Sequence, residues 1–246
     1  MTELVRVQKF LADTGICSRR AAEKLIEEGK VTIGPRVAVL GDKVPTDSTS
    51  VKVNGEQIFP HKKKNTYIML YKPRGYVTTA KDELGRKCVT DLLKNERVRL
   101  YPVGRLDKDS EGLLLMTNDG DLANKLMHPS NRIPKTYRTI VKGKVDATVL
   151  SQLSNGVYLE ELDYTTSSAD VELHEVREDK TILRITIYEG KNRQIRRMCE
   201  AVGLEVARLR RISIGPLKLG MLKPGAWREL TAEELRAIRN AIGKEN

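Results

Sequence analysis

GRLDKDSEGLLLMTNDG, residues 104–120, is the stretch from which the rest of the chain can be read. Its apolar run Leu113-Leu114-Leu115-Met116 is short enough for a buried strand and is closed by the turn-rich Thr117-Asn118-Asp119-Gly120. Asp107 therefore falls in a turn ahead of a strand. Arg105 and Lys108 flank it in a chain with 44 Lys+Arg against 33 Asp+Glu, so its carboxylate is expected to be ionised and presented to a polyanion. Taken alone, a loop aspartate is more often a turn cap, and that reading stands beside a catalytic one.

Outward from this segment strands dominate, with candidates at residues 67–71, 136–145, 169–176 and 180–188. In the last, Leu183, Ile185 and Ile187 alternate with Arg184, Thr186 and Tyr188, the pattern of a sheet with one covered face. Helices are expected over 121–127 and 193–202. In the second, Ile195, Met198, Cys199 and Val202 form one stripe and Arg193, Arg196, Arg197 and Glu200 another, with Gly203 as the stop. Thr231 and Glu234 have the spacing of a capping box for a final helix.

Residues 6–29 read as two short helices. Val7, Phe10 and Leu11 share a face of the first, and Gly15 suits its end. Ser18 can cap the second, where Ala22, Leu25 and Ile26 recur at helical spacing up to Gly29. Short strands are expected at 31–33, 37–40 and 51–53. This makes a small module over residues 1–60, a basic linker over 61–66 and a larger domain over 67–246. Arg19 and Arg20 fall in the first turn of a helix, where the macrodipole disfavours cations. They are either phosphate-binding forks beside an anion-attracting helix start or two solvent-facing arginines.

The composition, 39% hydrophobic and 31% charged over 246 residues, is that of a soluble globular protein. No run approaches the roughly 18 apolar residues of a membrane span, and the N-terminus lacks an apolar signal core, so no membrane association and a cytoplasmic location are expected. Cys17, Cys88 and Cys199 are odd in number and widely spaced, which argues against disulfides and structural zinc and makes them small core or half-buried residues. His61, His128 and His174 suggest neither a metal site nor a triad, and there is no dinucleotide or Walker glycine motif. The net charge of +11 is uneven: residues 190–228 hold 10 basic and 2 acidic side chains, a candidate phosphate footprint.

The motif around Asp107 resembles the catalytic-aspartate motif of pseudouridine synthases, in the RsuA/RluB branch that isomerises uridine in ribosomal RNA. Tyr71-Lys72-Pro73-Arg74-Gly75-Tyr76 resembles that family's first motif, and Glu189-Gly190-Lys191-Asn192-Arg193-Gln194-Ile195-Arg196-Arg197-Met198 its third. The N-terminal segment resembles the S4-type RNA-binding module that this branch carries ahead of its catalytic domain. The likeness covers nearly the whole chain in the expected order. It departs at Gly34-Pro35-Arg36, where the module usually shows an Asn-Gly hairpin turn.

The resemblance implies an α+β protein, a small N-terminal α/β RNA-binding module followed by a larger mixed, mainly antiparallel sheet with flanking helices. It makes Asp107 the catalytic carboxylate, acting as a nucleophile at the anomeric carbon or as a base on the adjacent sugar carbon. Arg196 is implied to pair with Asp107, with Arg193 and Arg197 the competing candidates for phosphate contact. Tyr137 matches an active-site tyrosine that stacks on uracil, and Leu209 an apolar wall of the base pocket. Lys72 and Pro73 are implied to buttress the tyrosine. Arg105, by analogy with a sister branch, is assigned to the space left by an extruded base. Because uridine isomerisation takes no atoms or electrons from outside, no metal, redox or nucleotide cofactor is required. The implied partner is ribosomal RNA or a pre-ribosomal particle, met by a monomer. The Ser18-Arg19-Arg20 stretch favours large-subunit (23S) RNA. A small-subunit (16S) enzyme, a non-catalytic ribosome-assembly factor and another RNA enzyme, such as a methyltransferase or base hydrolase, are the alternatives.

Overall fold

In the computed structural model, which describes residues 3–60, 64–79, 82–93 and 98–243, the chain divides into two units, Met1–Lys64 and Asn65–Asn246. The first runs β1 (Leu4–Arg6), α1 (Val7–Asp13), α2 (Arg19–Glu27), β2 (Val31–Ile33), β3 (Arg36–Val37), β4 (Lys43–Pro45), β5 (Val51–Val53) and β6 (Glu56–Gln57). Val7, Phe10 and Leu11 of α1 pack with Ala22 and Ile26 of α2 and with Val31, Val44 and Val51 of the strands. Ser18 caps α2, its Oγ accepting from the Ala21 N–H at 3.1 Å, and Arg19 and Arg20 occupy the exposed first turn as expected.

The expected strand at 37–40 is cut to Arg36–Val37. The carboxylate of Asp42 accepts the Val39 N–H at 2.9 Å and takes the Arg36 guanidinium at 2.8 and 3.0 Å, which turns the chain and leaves Val39 and Leu40 exposed. Gly34-Pro35 is itself the hairpin turn, with Ile33 opposite Arg36 and Gly34 at φ +58°. The Asn-Gly turn that Gly34-Pro35 replaces occurs one hairpin later. Asn54 and Gly55, both at positive φ, join β5 to β6 in the manner of a primed turn. Of the expected linker, residues 61–63 lie outside the described residues.

The second unit contains β7 (Tyr67–Lys72), β8 (Tyr101–Val103), β9 (Glu111–Thr117), α3 (Gly120–Met127), β10 (Lys135–Lys142), α4 (Ala147–Asn155), β11 (Tyr158–Leu159) and β12 (Tyr164–Thr165). It continues through β13 (Asp170–Val176), β14 (Lys180–Ile187), α5 (Gln194–Ala201), β15 (Val206–Ile214), β16 (Leu217–Lys218), β17 (Trp227–Glu229) and α6 (Ala232–Gly243). A nine-stranded sheet has the order β13-β14-β10-β15-β9-β7-β17, with β16 on β15 and β8 on β9. Among the described strands of this sheet only the β15–β9 pairing is parallel, so the sheet is mixed and mainly antiparallel, the α+β class expected.

All seven residues of β9 are buried, because both faces are covered. Leu113 and Leu115 pack with Leu122 and Leu126 of α3 and Ile238 of α6, while Leu114 and Met116 pack with Val89, Leu93 and Leu100. The parallel junction depends on Gly112, which has φ +112°; a Cβ there would lie 2.2 Å from the Arg211 carbonyl oxygen. A third core forms where Leu153 of α4 and Ile195, Met198 and Cys199 of α5 cover Tyr137, Val141, Leu183, Ile185 and Leu209. Cys88 is also buried and Cys17 half-buried, and burial pushes the Cys199 thiol up to about 12. The capping box forms, with Glu234 N–H donating to Thr231 Oγ1 at 3.1 Å and Thr231 N–H to Glu234 Oε2 at 2.9 Å. α4 and β15 were not among the elements expected. No helix of the described residues is long and apolar enough to cross a membrane.

Candidate active site

Asp107 lies in the loop between β8 and β9, and that loop is held through its backbone. Lys72, at the end of β7 and fully buried, donates from Nζ to the carbonyls of Asp107 at 2.8 Å, Ser110 at 2.7 Å and Pro73 at 3.2 Å. Thr78 Oγ1 accepts the Leu106 N–H at 3.2 Å and donates to the Leu106 carbonyl at 2.6 Å. Gly75 N–H reaches the Lys108 carbonyl at 2.7 Å. The segment 72–78 thus grips residues 106–110 from below. The Asp107 side chain stays 32% exposed.

Burial lowers the Lys72 ammonium to about 8, although the charges of Asp107, Asp109 and Glu111 oppose the shift. Two expectations for Lys72 are corrected here. Enclosed with its donors committed to three carbonyls, it supports the backbone of the aspartate rather than the tyrosine, and it has no surface with which to touch RNA.

The arginine pairing also differs from the expected one. Arg196 on α5, 12% exposed, places Nη2 3.2 Å from Asp109 Oδ2 and donates to the Asp109 carbonyl at 3.2 Å and, through Nη1, to the Val206 carbonyl at 3.3 Å. Arg193, which precedes α5 at φ +50°, reaches Asp109 at 3.2 Å and Asp107 Oδ2 at 3.9 Å. The turn from Asp107 to Ser110, closed by Ser110 N–H on the Asp107 carbonyl, puts the Asp109 side chain toward α5. Asp109 therefore takes the ion pair expected of Asp107. Burial would raise the Asp109 carboxyl, but the Arg196 and Arg193 charges hold it below its ordinary value. Burial depresses the Arg196 guanidinium, and its Nε is buried without a partner among the described residues.

Tyr137 of β10 is 8% exposed and packs with Leu106 and Leu209, so the two sequence-expected apolar residues form one wall with the neighbour of Asp107. No hydrogen-bond partner for its hydroxyl occurs among the described residues. Arg105 is exposed at the start of the loop. Arg197 points elsewhere, paired with Glu161 at 2.9 Å. Arg19 and Arg20 belong to the other unit.

Several residues that organise this region had not been singled out individually. Arg211, 3% exposed, donates to the Leu113 carbonyl at 2.8 Å and the Arg105 carbonyl at 3.4 Å, tying β15 to β9 and to the loop. Glu189 accepts from Tyr164 Oη and Gln194 Nε2, each at 2.6 Å, and from Ser167 N–H at 3.0 Å, which fixes the approach to α5. Both Glu189 and Gln194 stood in the third motif, where their presence was the available signal. The basic run at 190–228 is not one free footprint. Arg196, Arg197, Arg208 and Arg228 pair with Asp109, Glu161, Glu111 and Glu234, and Arg211 is interior.

Residues 66–201 match the RNA pseudouridylate synthase family and residues 5–50 the S4 domain. The chain is 46% identical to the ribosomal large subunit pseudouridine synthase B of Bacillus subtilis, covering 95% of each protein. It is 39% identical to the dual-specificity RNA pseudouridine synthase RluF of Escherichia coli, over 94% of this chain and 77% of that protein. A crystal structure of a pseudouridylate synthase superimposes with a TM-score of 0.67 at 27% identity, covering 95% of this chain and 99% of that one. Agreement of this extent, in sequence and in fold, makes the chain a member of the RNA pseudouridylate synthase family, an isomerase with an S4 domain ahead of its catalytic domain.

Proposed function

We propose that the protein isomerises one uridine of large-subunit (23S) ribosomal RNA to pseudouridine, with Asp107 as the catalytic carboxylate. The observation that carries this reading is a carboxylate left partly open on a loop whose backbone is clamped at Leu106, Asp107, Lys108 and Ser110, beside an apolar wall of Leu106, Tyr137 and Leu209. The reaction breaks the bond from the sugar anomeric carbon to N1 of uracil, turns the base over and bonds the same carbon to C5. The C5 proton is lost and N1 gains one, so atoms and electrons balance without a cofactor. Asp107 acts as a nucleophile at the anomeric carbon or as a base at the adjacent carbon. Either role needs an ionised carboxylate in a fixed place, and fixing it beforehand removes reorganisation from the chemical step.

Tyr137 stacks on the uracil with its hydroxyl near the proton-transfer site, and Leu209 bounds the base. Arg193 is the cation for Asp107, while Arg196 holds Asp109 and through it the loop. The uridine is extruded from its stack, and Arg105 occupies the space it leaves. The module of residues 1–60 captures RNA through Arg19 and Arg20 at the start of α2. The protein acts as a monomer in the cytoplasm. The choice of large-subunit RNA is supported by the relative named for that subunit.

Mapping pseudouridine across ribosomal RNA from cells with and without this gene should show one large-subunit site vanish. The wild-type gene should restore it and Asp107→Asn should not, while the Asp107→Asn protein still binds RNA. An unchanged map, or turnover by folded Asp107→Asn protein, would reject the assignment.

A further inference from the structure

A row of arginines crosses the central sheet on the side that the reaction does not use. Arg184 of β14 lies opposite Arg138 of β10, and Arg138 lies opposite Arg210 of β15. Each alternates with residues of the α4–α5 core, Leu183 and Ile185, Tyr137, and Leu209, so all three sit on the other face of these strands. Like charges directly opposite one another destabilise a sheet. Three in a row are therefore held against the local preference, a departure that marks functional surfaces.

The flanking arginines are neutralised within the protein. Arg184 pairs with Glu172 at 3.3 Å, Arg177 with Glu175 at 2.6 Å, and Arg208 with Glu111. Arg138 and Arg210, adjacent in the middle, have neither a hydrogen bond nor an ion pair among the described residues. Both are half-buried, and neither has a guanidinium nitrogen sealed from solvent. Burial depresses the Arg138 guanidinium and the neighbouring Arg210 charge depresses it further, against the opposing charge of Glu175. Two such groups one strand spacing apart, about 4.8 Å, present donors suited to an anion.

The surroundings select the kind of anion. The row lies across three strands of a sheet rather than on a glycine-rich loop or at a helix start, so a ligand must draw most of its binding from elsewhere. A planar guanidinium fork matches phosphate oxygens, and the protein's substrate is a chain of phosphates. We propose that this face of β14, β10 and β15 is a second contact surface for the substrate RNA, where Arg138 and Arg210 bind backbone phosphates remote from the target uridine. The inference rests on the RNA reading of the preceding section. It extends the footprint to an RNA segment on the opposite side of the sheet from Tyr137.

The test uses the full-length chain and an unmodified, protein-free large-subunit rRNA transcript. Dissociation constants are measured across a potassium chloride series for wild type, Arg138→Gln/Arg210→Gln and Arg138→Lys/Arg210→Lys. A control with equal charge loss, Lys223→Gln/Arg236→Gln, removes two exposed cations elsewhere. The glutamine pair should flatten the log-affinity against log-salt slope by about 1.5 units, given about 0.7 to 0.9 per phosphate contact. The lysine pair should keep the wild-type slope. Relief of cross-strand repulsion should let the glutamine pair melt at or above the wild-type temperature.

An unchanged slope in the glutamine pair overturns the proposal, including the case in which it loses an acidic protein partner instead. An equal shift in the control also overturns it, since net charge would then be the cause. Pseudouridine formation by wild type in the same transcript is scored separately. Its absence would reject the proposed function, while the slopes would still decide whether this face binds RNA.

Discussion

Lys72 Nζ lies 2.8 Å from the backbone carbonyl of Asp107 and is fully buried beneath it. An ammonium three carbonyls deep in protein is expensive unless every donor is used, and here each has an acceptor. The position of the aspartate is therefore coupled to the charge on a lysine 35 residues away.

Replacing Lys72 with Met should uncouple them. The Ser110 carbonyl would lose its Lys72 donor in the interior, at a cost on the order of 1–3 kcal/mol, and the Asp107 carbonyl would keep only the Ser110 N–H. The expected outcome is a lowered unfolding midpoint and a single-turnover rate reduced at least about 100-fold at saturating RNA, with RNA affinity much less affected. A normal rate in this variant would show that the loop holds itself.

The same coupling predicts a pH dependence with opposite signs for activity and stability. Lys72 titrates at about 8 in the folded protein against 10.5 ordinarily, so between these values the unfolded chain binds the extra proton. Its contribution to stability therefore rises with pH across that window, because the cost of burying the charge is relieved. The neutral amine has one donor fewer for the three carbonyls. Single-turnover rates should fall above about pH 8 while thermal melts show no matching loss from this group. A rate that is flat to pH 9.5 would refute the link.

Arg196 and Asp109 should behave as a pair. Arg196→Ala and Asp109→Asn, each alone, should slow the chemical step, and the double variant should lose much less than the sum, with a coupling of about 0.5–3 kcal/mol. Arg196→Ala with Asp107→Asn offers no such test, since the second change alone removes the reaction. Additive losses for Arg196 and Asp109 would return Arg196 to ordinary phosphate binding, visible as a change in affinity and salt slope instead.

Gly112→Ala should damage the fold rather than the chemistry. The new methyl would meet the Arg211 carbonyl at 2.2 Å, in a backbone conformation that side chains rarely adopt. The parallel pairing of β9 with β15 must open or shift, a loss of more than about 3 kcal/mol. Denaturant midpoints would show it, and an unchanged midpoint would mean that β9 and β15 can separate at little cost.

Arg19→Gln/Arg20→Gln tests the S4 unit without removing it. If both arginines hold phosphates, the salt slope should flatten by about 1.5 units and capture should weaken, while turnover at saturating RNA changes little. An unchanged slope would leave them as solvent-facing residues at a helix start.

The parts of the protein legible in the sequence are those set by nearby residues. Leu113 to Met116 reads as a buried strand, Ser18 and the Thr231/Glu234 spacing each start a helix within one turn, and alternation from Leu183 to Tyr188 assigns each side chain to a face. Asp107 on a loop follows from the same local signals. β15 was not among the strands expected, because its arginines read as part of a phosphate footprint and their partners are remote in sequence: Glu111 lies 97 residues from Arg208, and the Leu113 carbonyl 98 from Arg211. Likewise, which carboxylate meets Arg196, what Lys72 supports, and that Arg138 stands between Arg184 and Arg210 are decided by strand register and by one turn after Asp107. Residue types set what each side chain can bind. Pairings between strands far apart in the chain depend on tertiary register, which local periodicity does not encode.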